Sequence, residues 1–327
     1  MVGWGRTNKA QPSFLIGPLY VKKDRTNCKK NTKFASLSFH PTICHLYMTT
    51  RYLITLLLLA LVSFAGQAQI VDIEQERRSN PDSVLREFDK GPFFGIYKDN
   101  YFVGGTAIGS KPDSHNSDVK FQVSIAQRLT NSVLPFNTYA FLFYSQKCMW
   151  NVFEKSLPMH DFNFNPGLGI TKVLINKNRV VGKLTLMLEH ESNGRDKMYD
   201  RSWNKLSLAG NIYVTPNIMI HAKYWLTYID SKQNKDILYY NGIYQTGIQI
   251  LSNDEKWVFS GTFVKRKGFN LNGNTIIDIG FRIRKHDNQF LMLHYYNGYG
   301  ENLLDYNKFH SRLRIGLLIK PRWFSDY

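Results

Sequence analysis

The 327-residue chain holds three cysteines, too few for a disulfide scaffold or a cysteine-rich zinc module. It has no run of 18 or more apolar residues. With a mean hydropathy of −0.32, that excludes a bundle of membrane-spanning helices. Charged residues are only 20% of the chain, and acids are scarce: 25 Asp+Glu against 42 Lys+Arg, a net charge of +17. Such a balance suggests nucleic acid, but much of it lies at the N-terminus. There Arg6, Lys9, Lys22, Lys23, Arg25, Lys29, Lys30 and Lys33 face Asp24 alone. The remaining basic residues alternate with apolar ones and form no face, so no nucleic-acid partner is expected. What the chain has in quantity is aromatic: 19 Tyr, 22 Phe and 6 Trp. Its length fits one large domain or two ordinary ones.

Met48 opens a second beginning, MTTRYLITLLLLALVSFAGQAQ. Arg51 is a positive n-region, Leu53 to Phe64 a short apolar core, and Gly66-Gln67-Ala68 supplies the small residues at −3 and −1 of a cleavage site. Residues 48–68 are therefore expected to be a signal peptide rather than a signal anchor or a buried helix. Residues 1–47 have no visible role and are expected to be a wrongly chosen start or a disordered basic tail. The mature chain would begin near Gln69 and keep one thiol, Cys148. Residues 69–98 then form a periplasmic N-terminal segment and 99–327 the folded body.

In that body a two-residue period replaces any helical one. Val119, Phe121, Val123, Ile125 and Leu129 alternate with Lys120, Gln122, Ser124 and Arg128; Leu313, Ile315, Leu317 and Ile319 alternate with Arg312, Arg314 and Leu318. Strands are expected at 100–109, 118–129, 138–150, 164–174, 182–192, 203–214, 218–228, 238–251, 257–267, 275–285, 289–299 and 311–321. Most have the length of a tilted strand crossing a bilayer. Even-numbered connections are mostly short (Thr215-Pro216-Asn217, His286–Asn288). Odd-numbered ones are mostly long (Asn151–Asn163, Gly300–His310). The expected fold is all-β, a twelve-stranded antiparallel transmembrane barrel, with short turns on one side and long loops on the other. Trp323, Phe324 and Tyr327 give it an aromatic C-terminus. A soluble β-sandwich is the competing architecture.

The fifth strand reads GKLTLMLEHES, residues 182–192. Leu184, Leu186 and Leu188 share parity with His190 and Ser192, so all five are expected on the lipid face. Asn204 in turn shares parity with Leu206 and Leu208 on the next strand. Polar groups on a lipid face are costly and mark function. A serine, a histidine and an amide acceptor make a nucleophile, a base and an orienter. Ser192 would attack an acyl carbonyl, His190 would carry the proton, and Asn204 would fix the imidazole tautomer. A neutral amide suits that place, because an unpaired carboxylate there would cost several kcal/mol. An interfacial polar cluster without chemistry is the alternative. Glu191, of opposite parity, is expected to face the lumen in a structural role.

His190-Glu-Ser192-Asn193-Gly194-Arg195 followed by Arg201-Ser-Trp-Asn204 resembles the signature of the outer-membrane phospholipase A family. Gly298-Tyr-Gly-Glu-Asn-Leu-Leu-Asp-Tyr-Asn307 resembles its last extracellular loop, and Ser156-Leu-Pro158 through Asn163-Phe-Asn-Pro166 the loop and strand before the active-site hairpin. Together these cover most of Asp99–Lys320. The resemblance implies a calcium-dependent enzyme, active as a homodimer in the outer membrane of a Gram-negative bacterium. It would cleave acyl esters of phospholipids and lysophospholipids at sn-1 or sn-2, a phospholipase A1/A2. It also implies roles. The Gly194 backbone N–H and a calcium-bound water would form the oxyanion hole. Calcium would be held by the Arg195 carbonyl, by residue 200 and by the Ser156 carbonyl of the partner subunit, and Gln146 would lie in the dimer contact. The family pattern has serine where Asp200 stands. The parity of 138–150 leaves a lumen-facing Gln146 open. A small porin or structural barrel without turnover is the other reading of the scaffold.

One outcome follows directly from the leader. N-terminal sequencing of membrane-isolated protein is expected to start at or near Gln69; mature protein carrying residues 1–47 would overturn both the cleavage and the start assignment.

Overall fold

The computed structural model describes residues 81–321 except 178, 230, 231 and 286. The leader, the cleavage site and the aromatic C-terminus lie outside these residues. A ten-residue helix, α1 (Pro81–Lys90), leads into a short strand, β1 (Phe94–Ile96). Twelve strands follow: β2 (Asn100–Ala107), β3 (Ser117–Arg128), β4 (Thr138–Trp150), β5 (Met159–Asn176), β6 (Arg179–Ser192), β7 (Ser202–Thr215), β8 (Ile218–Tyr228), β9 (Tyr244–Leu251), β10 (Trp257–Lys265), β11 (Gly273–Arg282), β12 (Gln289–Gly298) and β13 (His310–Ile319). Each pairs antiparallel with its sequence neighbour, and β13 returns to β2, closing the sheet. The seam is tight: a Cβ on Gly316 would stand 2.0 Å from the Phe102 carbonyl oxygen, so only glycine lets the strands meet there.

β1 pairs with Ile125–Gln127 of β3, further along β3 than the Ser117–Gln122 stretch that β2 occupies. The first wall strand is thus built in two pieces, β1 and β2. Between them the chain steps inward, so that Tyr97 is buried and donates to Met187 Sδ at 3.3 Å. α1 docks at the short-turn end: Arg128 donates to the Asp89 and Gly91 carbonyls at 2.7 and 2.9 Å, and the Phe88 and Tyr139 rings meet edge to face at 5.0 Å.

Two segments depart from the expected strands. Residues 238–241 form a helical turn, α2 (Leu238–Asn241), and β9 starts only at Tyr244. A strand over 238–251 was expected, and its first residues depart from that. Ile237 decides this by burying completely against Trp203, Trp225, Leu303 and Tyr306, which folds the chain inward over the barrel's long-loop end. β5 starts at Met159 rather than 164, because Asp161 and Asn163 are buried and accept the backbone N–H groups of Leu304 and Leu303 at 2.9 and 3.2 Å.

Alternation then sorts the side chains. Leu184, Leu186, Leu188, Leu206, Leu208, Ile315 and Leu317 are exposed on the outer wall, while Thr185, Met187, Glu189, Ser207 and Arg314 are buried inside. The lumen is polar, and most of its charges are paired. Arg314 contacts Asp118 and Glu301 at 2.7 and 2.6 Å, Lys205 contacts Glu191 at 2.8 Å, and Lys223 contacts Glu189 at 2.8 Å. Removing one member of such a buried pair typically costs about 3–5 kcal/mol, because the other is left uncompensated.

Candidate active site

The last residues of β6 and the first of β7 form one corner of the outer wall at the long-loop end. Their register sets His190 opposite Asn204 and Ser192 opposite Ser202. His190 lies in the column of exposed Leu184, Leu186 and Leu188, and Asn204 in that of Leu206 and Leu208. His190 Nδ1 and Asn204 Oδ1 are 2.8 Å apart. With the amide oxygen as acceptor, Nδ1 carries the proton and Nε2 is left as a base. Ser192 is two residues further along the same face, and among the described residues its hydroxyl makes no hydrogen bond. Catalytic hydrogen bonds commonly tighten only when substrate is bound. Glu191 points the other way, accepting from Trp203 Nε1 at 3.0 Å and Lys205 Nζ at 2.8 Å inside the lumen.

Beyond Ser192 the chain enters a loop with an unusual backbone. Gly194 has φ +63°, and a Cβ there would lie 2.9 Å from the Phe164 ring. Conformation and packing both demand glycine. Asn193 is buried and staples the loop. Its backbone N–H reaches the Arg201 carbonyl at 3.0 Å, its Oδ1 accepts from Arg201 N at 3.0 Å, and its Nδ2 donates to the Tyr199 carbonyl at 2.9 Å. Arg195, Asp196 and Asp200 lie in this nine-residue excursion, around a short 3-10 turn, Lys197–Tyr199. The Arg195 guanidinium folds back on β5, donating to the His160 carbonyl at 2.6 Å.

Three supports were not visible in the alternation. Phe164, opposite Ser192 on β5, floors the Gly194 turn. Asn234, from the loop between β8 and β9, is fully buried. It holds Ser202 from both sides, accepting from its N–H at 3.4 Å and donating to its carbonyl at 3.0 Å. His160 meets Asp305 of the last long loop at 2.6 Å. The hydrogen bond from His160 holds the Asp305 carboxyl well below the usual carboxylate range, and Lys308 adds to it. Asn193 sits inside the quoted motif, but nothing in its spacing marked it as a loop staple. The other three are long-range partners.

Of the remaining site residues, Gln146 is on the outer wall. It accepts from Tyr144 OH at 2.7 Å and donates to Cys148 Sγ at 3.4 Å, and it shares a cross-strand row with Phe164 and Ser192. Its lumen-facing alternative is therefore set aside. Ser156 stands in the exposed loop between β4 and β5 with φ +68°. Within the chain no contact joins it to Arg195 or Asp200 among the described residues.

The phospholipase A1 family model matches residues 96–319. The phospholipase A1 of Escherichia coli K12 is 27% identical over 288 residues, covering 82% of this chain and 96% of that protein. That of Proteus vulgaris is 28% identical over 268 residues, covering 77% and 90%. Among solved structures, the outer membrane phospholipase dimer of Salmonella typhi with bound calcium superposes with a TM-score of 0.62 at 26% identity, over 75% of this chain and 98% of that one.

Gly194→Ala is expected to fold but to lose activity by roughly 10²-fold, since small displacements of a reacting group cost that much. Adding Phe164→Leu, which relieves the 2.9 Å contact, should recover part of the loss. Steady-state hydrolysis of a short-chain ester by both variants checks this. Full activity in Gly194→Ala alone would remove the turn from the mechanism.

Proposed function

The chain belongs to the phospholipase A1 family, and from that premise we propose that it hydrolyses acyl esters of phospholipids and lysophospholipids with a lipid-facing Ser192–His190–Asn204 triad. The observation that carries the reading is the 2.8 Å contact between His190 and Asn204 on the outer wall, with Ser192 on the same face. A phospholipid's acyl esters lie just below the headgroups, at the depth of a strand end, so substrate reaches this corner laterally. Ser192 Oγ attacks the ester carbonyl carbon as its proton passes to His190 Nε2. The imidazolium, held by Asn204, returns that proton to the leaving glycerol oxygen. Water then repeats the sequence on the acyl-serine and releases the fatty acid. The Gly194 N–H is the donor placed for the oxyanion, and such donors are a large part of acyl-transfer catalysis.

The residues assigned to calcium fit it in kind. The Asp200 carboxylate makes no hydrogen bond or ion pair among the described residues, and the Arg195 carbonyl accepts no hydrogen bond there. Both are hard oxygen donors. Bound calcium would supply positive charge beside the oxyanion position. Arg195, Asp200 and the Ser156 carbonyl of the partner subunit would hold it. The Gln146 side chain, whose partners among the described residues lie on its own strand, would meet its counterpart in a homodimer, where a membrane-buried amide finds a partner. The leader at 48–68 would bring the chain to the periplasm, and the barrel places it in the outer membrane. The mostly paired lumen disfavours the porin alternative.

Ser192→Ala should remain a folded, heat-modifiable barrel with vesicle hydrolysis reduced by at least about 10³-fold. Asn204→Ala should lose less than His190→Ala, and Asn204→Asp should keep much of the activity. Near-normal turnover by Ser192→Ala would sink the mechanism, and equal inactivation by the two alanine variants would argue against a purely orienting Asn204.

Chelation should abolish hydrolysis, and calcium should restore it. Because ligand charge raises calcium affinity, Asp200→Ser should need more calcium for half-maximal rate than the parent protein. Superimposable titrations of the parent and Asp200→Ala would show that Asp200 is no ligand, and a shift confined to Asp196→Ala would move the ligand to Asp196.

A further inference from the structure

The charges inside the barrel divide into two groups. On one side Lys120, Arg312 and Arg314 face Asp118 and Glu301, while His294 holds Asp278 at 2.6 Å. Cations and carboxylates are matched there. On the other side four lysines, Lys98, Lys147, Lys205 and Lys223, surround two carboxylates. Lys205 takes Glu191 at 2.8 Å and Lys223 takes Glu189 at 2.8 Å. Lys98 lies within electrostatic reach of Lys223, Glu189, Lys205 and Glu191, and Lys147 within reach of Glu191 and of Lys120 in the first group. Neither Lys98 nor Lys147 forms an ion pair among the described residues. The Lys98 ammonium stands over the Tyr97 ring, 5.5 Å from its centroid. Asp99, next to Lys98 in the chain, is held by Lys320 at 2.5 Å.

All four lysines line one cavity of about 270 Å³, which Lys120 and the carboxylates Asp99, Glu191, Asp278 and Glu301 also line, so that five lysines share it with four acids. The backbone brings Lys98 and Lys147 to the same floor. Lys98 N–H donates to Ser124 Oγ at 3.2 Å, Ser124 Oγ contacts Ser145 Oγ at 2.5 Å, and Lys147 is the next lumen-facing residue after Ser145 on β4. A barrel wall in hydrocarbon gives these charges little screening from outside. An uncompensated pair of ammonium groups in such a place is strongly unfavourable.

We propose that this cavity is an anion site, in which a small inorganic anion, halide or phosphate, sits between Lys98 and Lys147 and neutralises the excess positive charge. The anion would lie behind Glu191, the residue between His190 and Ser192, and so would brace the strand that carries the nucleophile from its lumen side. The inference is independent of the hydrolytic reading.

Two measurements test it. Crystals of the full barrel soaked in sodium bromide should give an anomalous peak between the Lys98 and Lys147 ammonium groups, absent from Lys147→Gln crystals. In detergent, bromide or phosphate should raise Tm over gluconate at equal ionic strength, with a shift growing with the logarithm of anion concentration. The Lys98→Gln/Lys147→Gln variant should lose that shift. Wild-type crystals with no peak there would overturn the proposal, showing the lysines hydrated or neutral. So would a Tm shift of the same size in the double variant, which would assign the effect to surface ions.

Discussion

Backbone hydrogen bonding in hydrocarbon governs everything else in this molecule. An unpaired N–H or C=O facing lipid costs several kcal/mol, so a strand that enters the bilayer must have a partner on each side. The closing pairs between β13 and β2 satisfy the last free edge. Once the sheet is closed, each strand residue has two possible destinations, lipid or lumen, and sequence parity assigns it. A one-residue slip in any strand would turn its leucines inward and its charges outward. That is why glycines at the seam, where a side chain would force the strands apart, matter as much as any polar contact.

The same parity puts a histidine, a serine and an asparagine on the lipid face, where their presence has to be compensated. The 2.8 Å contact between His190 and Asn204 satisfies one polar atom of each residue within the wall. The corner is rigid because its supports come from outside the two strands. Asn193 and Asn234, both buried, grip the adjacent residues Arg201 and Ser202. Asn234 acts in place of a strand, since the pairing of β7 with β8 ends at Asn204 and Tyr228. The last long loop is locked by Asp161, Asn163 and His160, the first of which also lies 3.7 Å from Arg195. The loop that carries Arg195 and Asp200 is thereby tied to two neighbouring loops.

Inside the barrel, charge balance takes over from apolar packing. Most cations have a carboxylate within about 3 Å. Each such pair gains strength from its low-dielectric setting and would be costly to break. Lys98 and Lys147 are where this balance fails, within electrostatic reach of Glu191 on β6.

Alternation, strand length and the rhythm of short and long connections together pointed to a barrel of twelve spanning strands, and the closed sheet bears this out. Alternation also placed Leu184, Leu186, Leu188, His190 and Ser192 on one face, because a strand leaves each side chain only two directions. Motif and parity together marked His190, Ser192, Gly194 and Asn204. Tertiary structure decided what a two-residue period cannot express. It folded Leu238–Asn241 into a helical turn because Ile237 buries elsewhere. It extended β5 to Met159 and added β1 ahead of the inward step at Tyr97. Gln146, on a strand with aromatics on both faces, was assigned to the outer wall by the rows it shares with Phe164 and Ser192. The supports at Phe164, Asn234 and Asp305 come from residues 28 to 145 positions away from their partners in the chain. Local sequence carries no record of such pairings, since only closure of the sheet brings those residues together.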